Sequence, residues 1–200
     1  MMSKSFLEAV KARRTYYGIT NEAVTSKKEI SELVEFAVKH TPSAFNSQSA
    51  RAVVLLEEQH NKFWDLTLDI LRGIVSGDQL QATEQRIAGF RGGYGTILFF
   101  EDSAVIEGLQ QAMPTYAAKF PIWSGNSSGM LQYVIWTALE DAGYGASLQH
   151  YDPLVDEAVQ KEWDVPANWK LQAQLVFGKP VAEPGEKEFQ PIDARVKVYE

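Results

Sequence analysis

The sequence predicts an α+β fold built as a single domain over residues 1–200, on three observations. Stretches with the 3.6-residue helical period are interspersed with only a few short apolar runs of strand length. No internal repeat and no linker-like segment divides the chain. Its 200 residues are enough for one core of moderate size that needs no staples, and there is no cysteine to make any.

The elements follow in order. Residues 3–14 read as a short amphipathic helix with Phe6, Ala9, Val10 and Arg13 near one face. Thr25-Ser26 followed by Glu29 is a capping-box signature, opening a helix over 27–40 whose apolar positions Ile30, Leu33, Val34, Ala37 and Val38 keep the helical period. Pro42 stops it, because proline cannot continue the hydrogen-bond ladder. The run 52–57 reads as a buried strand. Helices over 60–75 and 79–91 come next, ended by the glycines of Arg91-Gly92-Gly93-Tyr94-Gly95. Residues 96–100 form a second buried strand, and 103–111 a short helix. A long helix is expected over 127–142, apolar nearly all round through Met130, Leu131, Val134, Ile135, Trp136, Ala138 and Leu139. Both of its faces should be buried, more than a small domain can cover alone, so a homodimer is expected. Gly143 and Gly145 end it, 146–148 is a brief strand, and Pro153 opens a helix over 153–162. Lys170–Phe177 is the last long strand, alternating at Leu171, Ala173, Leu175 and Phe177. The tail 179–200 is irregular and rich in proline and charge, though it ends in the alternating "ARVKVYE".

Composition excludes several classes. A net charge of −7 argues against nucleic acid as a partner, which needs a basic footprint. No run nears the roughly 18 apolar residues that span a membrane. The start, MMSKSFLEAVKARR, lacks the apolar centre of a secretory signal, so a cytoplasmic location is expected. Without cysteine there is no thiolate metal site or Cys nucleophile, and His40, His60 and His150 lack metal-ligand spacing, so no metal is expected.

Among the motifs, Gly125-Asn126-Ser127-Ser128-Gly129 matches G-x-S-x-G, the elbow of serine hydrolases. That elbow needs a preceding strand, and 117–123 contains Pro121 and does not read as one. Ser127 or Ser128 reads instead as the cap of the long helix. Neither G-x-x-x-x-G-K-[ST] nor a strand-borne G-x-G-x-x-G occurs, which disfavours P-loop and Rossmann proteins. Arg13-Arg14-Thr15 has two readings: cations placed at a helix C-terminus, or a clamp of two guanidiniums and a hydroxyl for a phosphate dianion. Arg195 and Lys197 are a second cationic pair, either solvated or closing the same phosphate site from the far end of the chain. The loop "TPSAFNSQS" holds Ser43, Asn46, Ser47, Gln48 and Ser49, more polar side chains than a connecting turn needs.

Taken in order, "ARRTYY", "TPSAFNSQSARAVVLLE", "GYGTILFFED", "WSGNSSGMLQYVIWTALEDAGYGASLQHY" and "RVKVY" resemble the nitroreductase family of FMN-dependent flavoproteins. The likeness is to its short subgroup, with the fungal fatty-acid-repression-mutant type and bacterial nitroreductases, and runs from about residue 5 to 198. The resemblance implies an α+β nitroreductase-like fold, a central mixed or antiparallel sheet surrounded by helices, in an interface-sharing homodimer with FMN between the subunits. By position, Arg13, Arg14 and Thr15 would hold the phosphate with Arg195 and Lys197. Ser43, Ala44, Phe45, Asn46 and Gln48 of the partner would line the flavin ring. Ser147, Leu148, Gln149, His150 and Tyr151 would lie beside it, and Arg91 is a candidate cation for its N1/O2 edge. Phe120 and Trp123 read as a substrate lid or, equally, as core aromatics.

The implied activity is reduction of nitroaromatics, quinones or similar acceptors by NAD(P)H in ping-pong hydride transfer. The flavin supplies the chemistry, so no catalytic residue of the chain's own is expected. The alternative is a flavin-binding sensor with little turnover, linked to lipid or stress signalling. Many members of the family carry Lys or Arg where this chain has Tyr17.

Overall fold

A computed structural model describes residues 4–200. Residue 3, the expected start of the first helix, lies outside the described residues. That helix, α1, forms over Phe6–Ala12, with Ser5 as its N-cap in a capping box with Glu8. A two-residue strand, β1 (Ile19–Thr20), which the sequence did not suggest, precedes α2 (Lys27–His40). The Ser26/Glu29 capping box opens α2 as expected: Ser26 Oγ accepts from the Glu29 backbone N–H at 3.2 Å, and Glu29 accepts from the Ser26 N–H at 2.8 Å. Then follow β2 (Ala50–Leu56), α3 (Glu58–Arg72), α4 (Asp78–Arg91), β3 (Gly95–Asp102), α5 (Ser103–Ala112) and α6 (Phe120–Asp141). The chain continues through β4 (Gly145–Gln149), α7 (Asp156–Glu162) and β5 (Trp169–Pro180).

Every strand pairing in the sheet is antiparallel: β5 lies between β3 and β4, β2 pairs the outer side of β3, and β1 pairs the end of β5. Helices cover both faces, which is why β3 is buried along all eight residues rather than alternating. Leu98 and Phe100 point into a cluster with Phe63 and Trp64 of α3, Ile87 and Phe90 of α4 and Val159 of α7. Ile97 and Phe99 point the other way, to Ile30, Val34 and Ala37 of α2 and Leu131, Ile135 and Leu139 of α6.

Three expectations are corrected. The long helix begins at Phe120, not near 127, so Ser127 and Ser128 lie within it rather than capping it. Pro121 falls in its first turn, where the missing N–H costs nothing, and Ser127 Oγ donates back to the Trp123 carbonyl at 3.0 Å. Ser124, Ser127 and Ser128 are all buried, so small side chains let this end of the helix approach its neighbours closely.

The alternation expected in β5 is broken by a bulge: Phe99 faces Ala173 while Phe100 faces Leu171, leaving Gln172 unmatched. Leu171 therefore joins the α3/α4 side while Ala173, Leu175 and Phe177 stay on the α2/α6 side. The tail alternation "ARVKVYE" is not a strand; beyond a short turn at Ile192–Ala194 it is irregular and exposed. Among the described residues no helix is long and apolar enough to cross a membrane.

Candidate functional site

The loop between α2 and β2 carries the most backbone strain in the structure. Phe45 (φ 55°), Asn46 (φ 52°) and Gln48 (φ 47°) all stand in the left-handed region, without a glycine among them. Asparagine tolerates that region, but phenylalanine and glutamine do not, and such residues cost about 1–3 kcal/mol each. The loop is braced from within and from outside. Ser43 Oγ accepts from the Gln48 backbone N–H at 3.0 Å, and the Arg51 guanidinium donates to the Gln48 carbonyl at 2.7 Å and to Asp102 at 2.9 Å. The side chains of Asn46 and Gln48 make no hydrogen bond to any described residue and are exposed. A cleft of about 560 Å³ runs beside them, walled by Val34 and Val38 of α2, Pro42, Ser43, Gln48 and Leu131.

Phe45 projects onto the start of α6. Its ring lies 5.8 Å from Trp123 in a stacked arrangement, 5.5 Å from Phe120 edge-on and 5.9 Å from Tyr116. Phe45 and Tyr116 are exposed, and Trp123 is half-buried. Phe120 is only 1% exposed, so it is the floor of this aromatic group and not a movable cover. Trp123 sits in the first turn of a helix that Pro121 does not interrupt.

The cationic motif lies toward the other end of α6. Arg13 caps α1 and sets its guanidinium 4.4 Å above the Trp136 ring and 5.8 Å from Tyr133, a cation–π arrangement. Its Nε is buried without a hydrogen-bond partner. Arg14 turns the opposite way and donates to the Gly185 carbonyl at 2.5 Å. Thr15 bridges Ala146 in parallel, and the Tyr16 N–H donates to the Ala146 carbonyl at 3.0 Å, so the Arg13–Thr15 segment runs along the open edge of β4. The structure thus brings Arg13, Arg14 and Thr15 together with Ser147, Leu148 and Gln149. Ser147 is fully buried with its Oγ held by Gln149 at 3.2 Å; His150 is exposed. The Tyr151 N–H is spent on Gln174 at 2.7 Å, and its ring meets Trp64 on the other side of the sheet.

Arg195 and Lys197 are not brought to Arg13: they lie in the exposed tail with no ion-pair partner among the described residues. Arg91 is set apart as well. It ends α4 and is paired with Asp65 of α3 at 2.7 Å, in the helical layer that packs against the α3/α4 core.

Sequence reasoning missed a buried carboxyl. Glu101 of β3 is 5% exposed, and its Oε2 accepts from Ser49 Oγ at 2.6 Å and from Ser124 Oγ at 2.7 Å. Burial pushes this carboxyl above its ordinary range, against the opposing pull of the two serines. The acidic end of "GYGTILFFED", closing an otherwise apolar strand, was the signal for it.

Comparison with known proteins gives a consistent picture. Residues 10–179 match the model of the Nitroreductase family. The chain is 37% identical over 198 residues to nitroreductase FRM2 of Saccharomyces cerevisiae, covering 98% of this chain and 97% of that one. It superposes on nitroreductase CinD of Lactococcus lactis, solved in complex with nicotinic acid, with a TM-score of 0.91 at 41% identity, over 98% of this chain and all of CinD. A nitroreductase with bound FMN from Desulfitobacterium hafniense shares the fold at a TM-score of 0.70 and 17% identity, each chain fully covered.

Proposed function

The chain belongs to the nitroreductase family, and we propose that it is an FMN-dependent NAD(P)H oxidoreductase reducing nitroaromatic, quinone or similar acceptors. The observation that carries this reading is the division of one ligand's needs between the two ends of α6. Cations and an open strand edge lie near Trp136; a strained polar loop and exposed aromatic rings lie near Trp123, thirteen residues away, about 20 Å at the helical rise.

The residues fit FMN. Arg13 offers a buried Nε with no partner in the chain, and Arg195 and Lys197 are free of ion pairs among the described residues. Arg13 and Thr15, beside the β4 edge, are the groups placed to hold a phosphate dianion, which Arg14 would join by leaving the Gly185 carbonyl and Arg195 and Lys197 by a movement of the exposed tail. FMN, when bound, supplies the hydride chemistry. The chain's own residues bind and orient. The Ser147–Gln149 edge of β4 and His150 would border the ring, Tyr151 only through its backbone since its ring meets Trp64, while Ser43, Ala44, Phe45, Asn46 and Gln48 would come from a second copy. Arg91, committed to Asp65 in the other layer, has no part in it.

The same geometry supports a homodimer. Met130, Tyr133 and Val134 make an exposed apolar stripe along the middle of α6, 42%, 39% and 38% exposed, with Phe6 and Leu7 of α1 also exposed. Two copies packed antiparallel along this stripe set the Arg13 end of one against the Phe45 end of the other. Donor and acceptor then use the same opening beside Phe45, Tyr116 and Trp123 in turn, giving ping-pong turnover in the cytoplasm. CinD, solved with nicotinic acid and with 4-nitrophenol, supports an opening that takes a pyridine ring and a nitroarene.

The test is spectroscopic. Protein reconstituted with FMN should gain a flavin absorbance that NADH or NADPH bleaches anaerobically and 4-nitrophenol or a quinone restores. Protein that takes up no FMN, or holds it without being reduced, overturns the reading.

A further inference from the structure

We infer that Glu101 is the positioning residue that sets the strained Phe45–Gln48 loop against the aromatic start of α6, through one carboxylate oxygen shared by Ser49 and Ser124. The consequence for turnover rests on the function proposed above; the positioning itself does not.

Glu101 stands where three elements meet. Its backbone is paired with Ala50 of β2 on one side and Lys170 of β5 on the other, so the strand cannot shift. Its Oε2 takes the hydroxyl protons of Ser49, the residue that ends the loop, and of Ser124, the residue after Trp123 in α6. All three side chains are buried, at 5%, 0% and 8% exposure. The second oxygen, Oε1, is sealed from solvent and has no partner.

An apolar residue of similar volume would fill this place with less desolvation. What the carboxylate adds is direction. The contact of Phe45 with Phe120 and Trp123 is an aromatic packing that tolerates sliding, whereas two short hydrogen bonds to one oxygen fix the loop's register on the helix. Arg51 holds the same loop from outside, between the Gln48 carbonyl and Asp102, and Asp102 is itself held by Asn168 at 2.6 Å. The loop is thus pinned twice at the end of its strained residues, at Gln48 and at Ser49.

The tie is sensitive to protons. As an anion, Glu101 accepts from both serines; protonated, it is a weaker acceptor in a site that offers Oε1 nothing. Burial raises its carboxyl, Asp102 adds to that, and Ser124, Ser49 and Arg51 of β2 oppose it. Glu107 of α5 and Lys170 of β5 are the other charged residues lining the adjoining cavity of about 300 Å³, to which α6 brings Pro121, Ser124 and Gly125. Because the two serines favour the anion, their release and proton uptake by the still-buried carboxyl go together, so acidification loosens the tie.

The experiment compares wild type, Glu101→Gln, Glu101→Leu and Ser124→Ala by near-ultraviolet circular dichroism and by steady-state kinetics across pH. In the wild type the aromatic signal should change in an acid step that Glu101→Gln lacks. With NAD(P)H and 4-nitrophenol, Glu101→Leu and Ser124→Ala should raise the acceptor KM about tenfold or more, the effect of losing a hydrogen bond to a charged group. Their kcat should move less, and Glu101→Gln should partly restore KM while flattening the acid limb. Ser124→Ala keeps the test decisive if Glu101→Leu does not fold. An acid step retained in Glu101→Gln, or KM and pH profiles unchanged in Ser124→Ala, overturns the positioning role. A wild type that does not turn over removes the functional reading alone, since the dichroism step still decides the inference.

Discussion

His60 illustrates how one side chain can set the pH response of this fold. It lies fully buried in α3, with Nδ1 2.8 Å from Thr96 Oγ1 and Nε2 3.2 Å from the Arg91 carbonyl. Thr96 Oγ1 also accepts from the Trp64 indole N–H at 2.9 Å, so its own proton goes to Nδ1 and the ring carries its proton on Nε2. Burial lowers this imidazole from 6.5 to about 4. The unfolded chain therefore takes up the proton first as pH falls, so stability is full above about 6.5 and lost down to about 4. The loss amounts to roughly 3 kcal/mol. Denaturant unfolding at several pH values should show that slope, and His60→Gln should remove it. Arg13 gives the second prediction at this scale: Arg13→Ala should weaken FMN binding by about 1.5–3 kcal/mol, read as the dissociation constant. An unchanged constant takes Arg13 out of the site.

At the scale of elements, local signals were sufficient wherever a helix begins or ends by its own chemistry. The Ser26/Glu29 box and Pro42 bound α2 as the sequence predicts, and Ser26→Ala should cost about 1 kcal/mol in chemical denaturation, the usual worth of an N-cap. The start of α6 was illegible for the opposite reason. Gly125, Asn126, Ser127, Ser128 and Gly129 have poor helix propensity, but three buried serines and the aromatic contacts of Phe120 and Trp123 make helix the better packed choice. The β5 bulge is similar: nothing near Gln172 announces it, and it appears only in register with Phe99 and Phe100 of β3.

For the whole molecule, the telling feature is the apolar surface that one chain leaves open. Met130 and Val134 belong to the all-round apolar pattern that the sequence identified as more than one chain can cover, and Tyr133 joins them on the exposed side. In an isolated chain, Val134→Glu at a 38% exposed position should change stability by no more than about 0.5 kcal/mol. In a dimer built on this stripe, the same change should shift sedimentation to the monomer and release FMN. A variant that remains dimeric and keeps its flavin moves the interface elsewhere on the molecule.

The sequence by itself determined the α+β class, the order of the main helices and strands, the family and the loop worth watching. Periodicity, caps and ordered motifs are written in neighbouring residues. It also singled out "TPSAFNSQS" as too polar for a turn, and that loop carries three left-handed residues. Tertiary structure alone decided which residues of the motifs meet. Arg13 rests on Trp136, Arg14 reaches Gly185, Arg91 is bound to Asp65, and Glu101 joins Ser49 to Ser124. Each of these contacts spans residues distant in the chain, and a buried carboxyl or guanidinium takes its role from what the fold packs around it.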